Sequence, residues 1–440
     1  MIGRALALAL AVAPAITTTA PAVTPRMSVP ASEAPSPMAA DLGDPVLADL
    51  LARAASGSLD VRMALARLEK ARADVDLARA GRRPQLTIGA EVAVGGAGFS
   101  SGASGAGAPV FGSYEVDLFH RLKHGQEAVQ ADEDAVQQDV ASARQLVSAE
   151  VTRAYVALRA AQAHRAVTAA KATLASRTAE LVHQRQVEGS ATEEDLVTSR
   201  TTQAQAQADF QVAAHAVEAQ RTRLGVLLGL NAPIDEPAFA GGEISSTPMV
   251  AAVSSETVLA RPDVQAALAR LRAADARRAE AVAASRPRFV LTAGLGSGDT
   301  DLLYLLDVPA LAWAVTGGLT HQLLDGGAAK ARKHGAEAEA EIAELAYRKA
   351  VGEAWGQARL YLSALQDATM SETLARTARQ RALAAFGKGR VRHVEGDIDG
   401  VALAVLEGQA ADADVALTDA QAARVRAYID LSLALGGRAT

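Results

Sequence analysis

A tandem repeat constrains the fold of this 440-residue chain more than any other feature. The run DVRMALARL that begins at Asp60 matches the run DVQAALARL that begins at Asp263, an offset of 203 residues. The register continues without a gap to Pro84 and Pro287, each preceded by Arg. Such a long period excludes a solenoid of short repeats. The sequence therefore predicts two homologous halves.

Each half contains a predicted β-hairpin. Large apolar residues alternate with small or polar ones in residues 84–95 and 113–119, and again in 289–295 and 311–319. Strict period two predicts strands with one apolar face. The Gly-rich segment 95–109 and the segment 298–309 are predicted to be flexible loops. The hairpins are thus predicted over residues 84–119 and 287–323.

The apolar strand faces have two interpretations. A soluble sheet covered by helices would alternate in the same way. Strands of about ten residues, however, are long enough to cross a bilayer at a tilt. The hairpins also hold about half of the aromatic residues, as interfacial girdles do, namely Phe99, Phe111, Tyr114, Phe119, Phe289, Tyr304 and Trp313. Since the smallest known barrels have about eight strands, four strands predict a barrel shared by several chains.

Long helices are predicted in the remainder of each half. Pro is absent from residues 123–187, where apolar and small residues follow a coiled-coil spacing. A second helix is predicted over 192–230, and the second half repeats the pattern at 328–386 and 401–435. Half of the chain is hydrophobic but only 3% is aromatic, and alanine supplies much of the difference. Small side chains favour close packing of helices side by side.

The N-terminus has the features of an export signal. Arg4 precedes an apolar run too short to span a membrane, and Ala20 and Ala22 fit a small-residue cleavage site. We expect no transmembrane helix further along. The predicted organisation is a signal peptide (1–22), a Pro/Ala-rich segment (23–45), the first repeat (46–230), a connector (231–260) and the second repeat (261–437).

The composition argues against several classes of function. Without Cys, the chain cannot form disulfides, Cys-ligated metal sites or a thiol nucleophile. A net charge of −6 gives no basic surface for nucleic acid. His120 and His124 have a helical spacing that could hold a metal, but we interpret them as a solvated rim beside Arg121 and Lys123. No catalytic triad or phosphate loop is discernible, so we expect neither catalysis nor a cofactor.

Several short motifs resemble those of the outer-membrane efflux proteins, with TolC-like and OprM-like factors as the nearer relatives. Arg261-Pro262-Asp263 resembles the opening of that family's second repeat, and residues 324–327 (LDGG) and 115–119 (EVDLF) resemble its strand exits. Residues 224–231 (LGVLLGLN) and 433–437 (LALGG) are similar to the ends of its halves. The resemblance covers residues 47–437. His120 replaces a common Gly, Leu324 replaces the usual Phe, and the lipidated Cys of many relatives is missing.

The resemblance implies a mainly α fold with membrane β-structure. Four strands per chain would form part of a trimeric, twelve-stranded outer-membrane barrel, continued by a long α-helical coiled-coil tunnel in the periplasm. The implied partners are two further copies, outer-membrane lipid, a periplasmic adaptor and an inner-membrane pump. The Arg-Pro-Asp motif implies a pump of the resistance–nodulation–division class. The implied function is passive conduction of small molecules in a tripartite efflux pump. A duct for type I polypeptide secretion and a soluble periplasmic coiled-coil or adaptor protein remain alternatives.

By the same resemblance, two helix-to-helix turns form the periplasmic tip, contact the adaptor and close the tunnel. The first turn includes Gly189, Ser190 and Thr192, and the second is expected at residues 386–390, with Gly389 and Arg390. By position Glu395 would match Asp195, and threefold symmetry would make a ring of each carboxylate. The gate is therefore predicted at Asp195, Glu395, Asp397 and Asp399. For Asp195, a solvated charge at a helix start is the alternative.

Overall fold

The structure, a computed structural model, describes residues 42–89, 91–95, 103–107, 110–237, 254–297 and 311–437. The predicted export signal, most of the Pro/Ala-rich segment and the second hairpin loop lie outside these ranges. So do the middle of the connector and two of the girdle aromatics, Phe99 and Tyr304.

The long helices and the returning helices of the two repeats have equal lengths. Both long helices have 67 residues, which corresponds to about 100 Å, and both returning helices have 35. No helix in the described ranges has a stretch long and apolar enough to cross a membrane. The helices are α1 (Pro45–Gly57), α2 (Leu59–Gly81), α3 (Arg121–Val187), α4 (Glu193–Leu227), α5 (Ser255–Leu259), α6 (Pro262–Ala283), α7 (Ala328–Val394) and α8 (Gly400–Ala434).

The predicted end of the second long helix is wrong. Helix α7 continues past Phe386 to Val394, so Gly389 and Arg390 lie inside it. A glycine inside a helix lowers the stability of the helix by about 1 kcal/mol relative to alanine. For this reason, Gly387 and Gly389 together favour a turn when only the sequence is considered. Gly389 is buried, and a Cβ atom added there would clash with the Leu406 side chain of α8. This glycine permits a close helix contact instead of a turn.

The six described strands form one hairpin per repeat. They are β1 (Gln85–Ile88), β2 (Glu91–Gly95), β3 (Ala103–Gly107), β4 (Val110–Val116), β5 (Arg288–Ser297) and β6 (Leu311–Thr320). A four-stranded antiparallel sheet has the order β1-β4-β5-β6, so pairing between β4 and β5 joins the repeats. Strand β6 confirms the prediction for 311–319, and β5 contains the whole predicted strand 289–295.

The first hairpin is longer than predicted. Strand β4 ends at Val116 instead of residue 119, and β3 lies inside the segment predicted as a flexible loop. Ile88 pairs with Val110 and Glu91 pairs with Gly107, so β2 and β3 continue the register of β1 and β4. The Ala, Ser and Gly residues of β3 have little strand propensity. Backbone pairing with β2 supplies the hydrogen bonds that decide its conformation.

The register places most of the large apolar residues of the four-stranded sheet on one face, while Phe111 and Val290 lie on the other. Cross-strand partners lie on the same side of a sheet, and Ile88, Val110, Leu295 and Trp313 form one such row. A second row contains Val116, Phe289 and Leu319. Ile88 is 75% exposed and Trp313 is 77% exposed. The protomer thus presents an uncovered apolar sheet face.

Helix α8 connects the cores of the two repeats. One buried cluster contains residues of α1, α2, α3 and α4, and Val425 and Ile429 of α8 belong to it. The other contains residues of α5, α6 and α7, together with Tyr428 and Leu431 of α8. Because one helix contributes to both clusters, the two repeats share packing and do not form separate cores.

The segment LGVLLGLN closes the first repeat by turning the chain back along α4. The backbone N–H of Ile234 donates to the Arg221 carbonyl (3.3 Å), and Arg221 Nε donates to the Ile234 carbonyl (2.8 Å). Gly225 lies directly against the Ala232 carbonyl, where a Cβ atom would clash. Gly229 has a φ of 73°, which favours glycine. Both glycines are therefore required by backbone geometry.

We expect Gly225→Ala to lower the free energy of unfolding by about 1–3 kcal/mol, because backbone must move to accept the methyl group. Gly81→Ala is the matched control, since a Cβ atom at Gly81 meets nothing within 4 Å. Thermal unfolding of the purified proteins in detergent measures the difference. Equal melting temperatures for the two variants would contradict the close approach at Gly225.

Candidate functional site

The first tip turn joins α3 to α4 through a left-handed glycine. Gly189 has a φ of 74°, and the Arg185 carbonyl accepts from the backbone N–H groups of Ser190 (2.8 Å) and Ala191 (3.2 Å). Ser190 Oγ donates to the same carbonyl. These bonds satisfy the last carbonyls of α3. Gly189, Ser190 and Thr192 therefore lie in the turn, as the sequence predicts.

Asp195 caps the start of α4. Its backbone N–H donates to Thr192 Oγ1 (3.1 Å), and its carboxylate accepts from the Thr192 N–H (2.9 Å) and hydroxyl (2.7 Å). This reciprocal arrangement is a capping box. The hydrogen bonds from Thr192 lower the pKa of Asp195 below its ordinary value. The carboxylate is thus held against its own helix start, which supports the alternative interpretation of Asp195.

The second tip turn consists of the five residues between α7 and α8. Gly396 has a φ of 80°, and the Asp397 N–H donates to the Arg392 carbonyl (2.8 Å). The Asp399 carboxylate caps α8 by accepting from the Ala402 N–H (2.7 Å). Since Gly189 and Gly396 have the same position and backbone conformation, the repeats end their long helices in the same way.

Because the two turns have the same length and conformation, they show which acid of the first turn is equivalent to which acid of the second. Glu188 and Glu395 both follow the last residue of a long helix. Thr192 and Asp399 both cap a returning helix. Glu395 therefore matches Glu188, and the match predicted between Glu395 and Asp195 is wrong. The wrong match follows from a turn at Gly389, whereas the left-handed turn glycine is Gly396.

Two basic residues pair with acids of the second turn. Arg392 Nε lies 2.5 Å from Asp397 Oδ2 within the turn, and Arg185 Nη1 lies 2.9 Å from Asp399 Oδ2 across the repeats. Lys388 and Arg390, the other basic residues near this turn, make no ion pair within the described residues. Glu395 is the one predicted gate acid without an ion pair or cap hydrogen bond among those residues. The tip therefore combines a cross-repeat ion pair with an unpaired acid.

Among the described residues, Arg185–Asp399 is the last of four ion pairs that join α3 to α8 or to its cap residue. The others are Arg153–Asp430, His164–Asp419 (2.8 Å) and Lys171–Asp412 (2.5 Å). His164 contributes charge only when it is protonated.

The spacing of these pairs follows the antiparallel packing of the two helices. From Arg153 to His164 to Lys171, α3 advances 11 and then 7 residues, and the acids on α8 recede by the same steps. Every basic member is on the first repeat and every acid on the second. We call these four the inter-repeat ion pairs. The pairs of α6 with α3, Arg270–Asp139 and Arg277–Asp132, also join the repeats but have the opposite polarity and lie nearer the sheet. The sequence alone does not indicate the row between α3 and α8, because recognising it requires knowing that these helices are neighbours.

The charge at Asp399 depends on pH in a defined direction. The Ala402 N–H and then Arg185 hold the pKa of Asp399 below its ordinary value of 3.8. An acid whose pKa is lowered by folding stabilises the native state at a pH above its ordinary value. That contribution disappears as the pH falls through the lowered pKa. At neutral pH the tip ion pair is therefore fully charged.

The Arg-Pro-Asp motif closes the second repeat. Arg261 is buried and donates to the Ala434 carbonyl at the end of α8 (2.9 Å) and to Gln357 of α7 (3.0 Å). Asp263 accepts two hydrogen bonds from the same guanidinium (2.7 and 3.0 Å). Burial by itself raises the pKa of Asp263, but Arg261 lowers it below the ordinary value. Pro262 begins α6, where its missing N–H is not needed.

The two histidines near the first strand exit lie at the beginning of α3. His124 Nδ1 is 2.9 Å from a carboxylate oxygen of Glu127, and His120 has a left-handed φ of 61°. Within the described ranges, no group of three His, Asp or Glu side chains could hold a metal ion.

Comparison with known proteins identifies the architecture. The family model described as "Outer membrane efflux protein" matches residues 50–230 and 253–437. The chain belongs to the outer membrane efflux protein family. It is 28% identical to outer membrane protein OprJ of Pseudomonas aeruginosa, over 90% of this chain and 84% of that one. It is 27% identical to the solvent efflux pump outer membrane protein SrpC of Pseudomonas putida, over 70% and 67%.

A solved structure of the outer-membrane channel OprN is also similar. It superposes with a TM-score of 0.79 at 26% identity, over 92% of this chain and 93% of that one. The predicted fold class is therefore confirmed: outer-membrane β-structure in a trimeric barrel, continued by a long helical tunnel and built from a tandem repeat. The chain is an outer-membrane efflux protein, and its family consists of transport channels.

We expect Arg261→Ala to destabilise this efflux protein by about 2 kcal/mol or more, since it leaves the end of α8 and Asp263 without a buried partner. Arg272→Ala is the control, because Arg272 is exposed on the same helix. Chemical denaturation of the purified proteins measures both changes. An equal effect of the two substitutions would show that Arg261 does not hold α8.

Proposed function

We propose that this protein is the outer-membrane channel of a tripartite efflux system, and that it conducts small molecules passively from a pump and an adaptor across the periplasm and outer membrane. The observation that supports this proposal is that one chain combines an apolar sheet with very long helices. An apolar sheet face of membrane-crossing length continues directly into helices of about 100 Å.

The channel requires three copies of the chain. In the four-stranded sheet, β1 and β6 each have one edge without a partner among the described strands. Backbone groups cannot remain unpaired in the hydrocarbon of a bilayer, so a membrane sheet must close. Pairing of β6 in one copy with β1 of the next would close twelve strands. Membrane fractionation with chemical crosslinking tests this step, and a soluble monomer would exclude the proposal.

The two tip turns would bind the adaptor and close the tunnel. Gly189, Ser190 and Thr192 form one contact surface, and the five residues 395–399 form the other. Gly389 and Arg390 lie inside α7, one to two turns from the second turn, so they flank this surface. An inner-membrane pump of the resistance–nodulation–division type would supply the energy and select the cargo. This assignment rests on the family and on the position of the turns at one end of the helices.

We further propose that Arg185–Asp399 holds the tip closed. This ion pair joins the helical hairpin of one repeat to that of the other at the end of both long helices. Asp195 and Asp397 have local partners and would serve mainly to shape the two turns. Glu395 is exposed, and three copies around the tunnel axis would form an acidic ring.

Asp399→Asn is expected to raise the conductance of the protein in planar bilayers. Asparagine retains the helix cap but cannot form an ion pair with Arg185. Asp412→Asn is the matched control, because it removes the partner of Lys171 midway along the same row and leaves the tip intact. If both variants conduct like the parent protein, Arg185–Asp399 does not close the tip.

Glu395→Gln is expected to reduce the preference of the channel for cations and its block by divalent cations, since it removes the charge of the proposed ring. Glu188→Gln, at the equivalent place in the first turn, is the comparison. Reversal potentials in a salt gradient measure the preference. An unchanged reversal potential in Glu395→Gln would exclude this acid from the conduction path.

A further inference from the structure

An open groove lies where the helices meet the sheet. It has a volume of about 700 Å³ and is formed by the start of α3, the end of α6 and the start of α7. Phe119 lies three residues beyond the end of β4, and Arg286 lies two residues before β5 begins. The groove is therefore at the level of the strand ends, where the membrane-spanning part of the chain stops. We call it the junction groove.

One part of the junction groove is apolar. Phe119, Ala279, Val282 and Ala283 contribute to its wall. Phe119 is 44% exposed and Val282 is 38% exposed, so both are accessible to a ligand in the protomer. The last apolar row of the sheet, which contains Val116 and Phe289, lies a few residues away along the chain.

The polar part of the groove has available positive charge. Arg286 is exposed and has no ion-pair partner within the described residues. Arg278 pairs with Asp275 at 3.1 Å, but both side chains are about half exposed. Such a surface pair is worth at most about 1 kcal/mol and exchanges readily for another anion.

The other two titratable residues of the lining, Glu337 and His124, already have side-chain partners. Glu337 lies 3.2 Å from His334 and 3.6 Å from Lys333, and His124 lies 2.9 Å from Glu127. Arg286 is therefore available to bind an added anion, and Arg278 becomes available when it exchanges its exposed pair with Asp275.

We propose that the junction groove binds an anionic phospholipid of the surrounding membrane leaflet. Arg278 and Arg286 bind the headgroup phosphate, for which the planar guanidinium is well suited. Phe119 and Val282 contact the first part of an acyl chain. A phospholipid matches both the basic and the apolar part of the groove, whereas a soluble phosphate would leave the apolar wall exposed. The proposal rests on the outer-membrane location and on the trimer proposed above.

This lipid would fix the depth of the protein in the membrane. The two strand exits carry exposed apolar pairs, Leu118-Phe119 and Leu323-Leu324, and Leu324 is 92% exposed. Lys330 and Arg332 follow the second exit, both exposed and without ion pairs in the described part of the chain. Apolar side chains beside basic ones are typical of a membrane interface with anionic lipid. The junction groove lies at this same level.

Native mass spectrometry of the full-length trimer in mild detergent tests the proposal. The probes are phosphatidylglycerol, phosphatidylcholine and inorganic phosphate. We expect phosphatidylglycerol to bind preferentially, and its affinity to fall about tenfold in Arg278→Gln/Arg286→Gln, which removes two cations near the headgroup. Val282→Asn should also weaken it with both arginines present. The control variant is Arg62→Gln/Arg67→Gln, which changes two exposed arginines near the end of α2 that is farther from the sheet. It should bind phosphatidylglycerol like the parent protein.

Three results would overturn the proposal. Equal binding of phosphatidylcholine would show no recognition of charge, and displacement of the lipid by millimolar inorganic phosphate would show a site for the free anion. Loss of trimer in the arginine variant with unchanged lipid affinity would show that a second copy of the chain occupies the groove. Because trimer content is measured in the same samples, failure of lipid binding is distinguishable from failure of the proposed channel assembly.

Discussion

The structure depends on one constraint, which is that a sheet in lipid must pair all of its backbone groups. The four-stranded sheet satisfies this internally at three junctions and leaves one edge on β1 and one on β6. Its apolar face has no cover in the protomer, and Trp313 is 77% exposed. Both features make the sheet a third of a closed structure. Each half of the tandem repeat supplies one hairpin of this sheet, and pairing of β4 with β5 joins the two hairpins.

The helices meet a different requirement, which is to keep two repeats in register over about 100 Å. Burial achieves this around the middle of the long helices, where Tyr428 and Ile429 of α8 enter the cores of different repeats. Towards the tip, the inter-repeat ion pairs replace much of that burial. Surface ion pairs are individually weak. A seam made of such pairs can therefore open at the tip without loss of the core.

Arg261 shows how a short motif serves this arrangement. The guanidinium connects the end of α8, the start of α6 and Gln357 of α7, so that the last helix is attached where the second repeat begins. Gly225 and Gly229 have the corresponding role at the end of the first repeat, through close backbone contact instead of charge. Motifs that are weak individually thus mark the places where each half closes on itself.

The sequence by itself determined the period-two strands and the long helices, because these depend on local periodicity. It determined the repeat as well, because two segments 203 residues apart match residue by residue. It also placed Gly189 in a turn, where the positive φ requires glycine. Only the tertiary structure decided that Gly389 lies in a helix, since the reason is contact with Leu406 of another helix. The same holds for β3, which pairing with β2 makes a strand, and for Arg185 and Asp399, which are 214 residues apart. Such contacts join distant parts of the chain, and local patterns carry no information about which parts become neighbours.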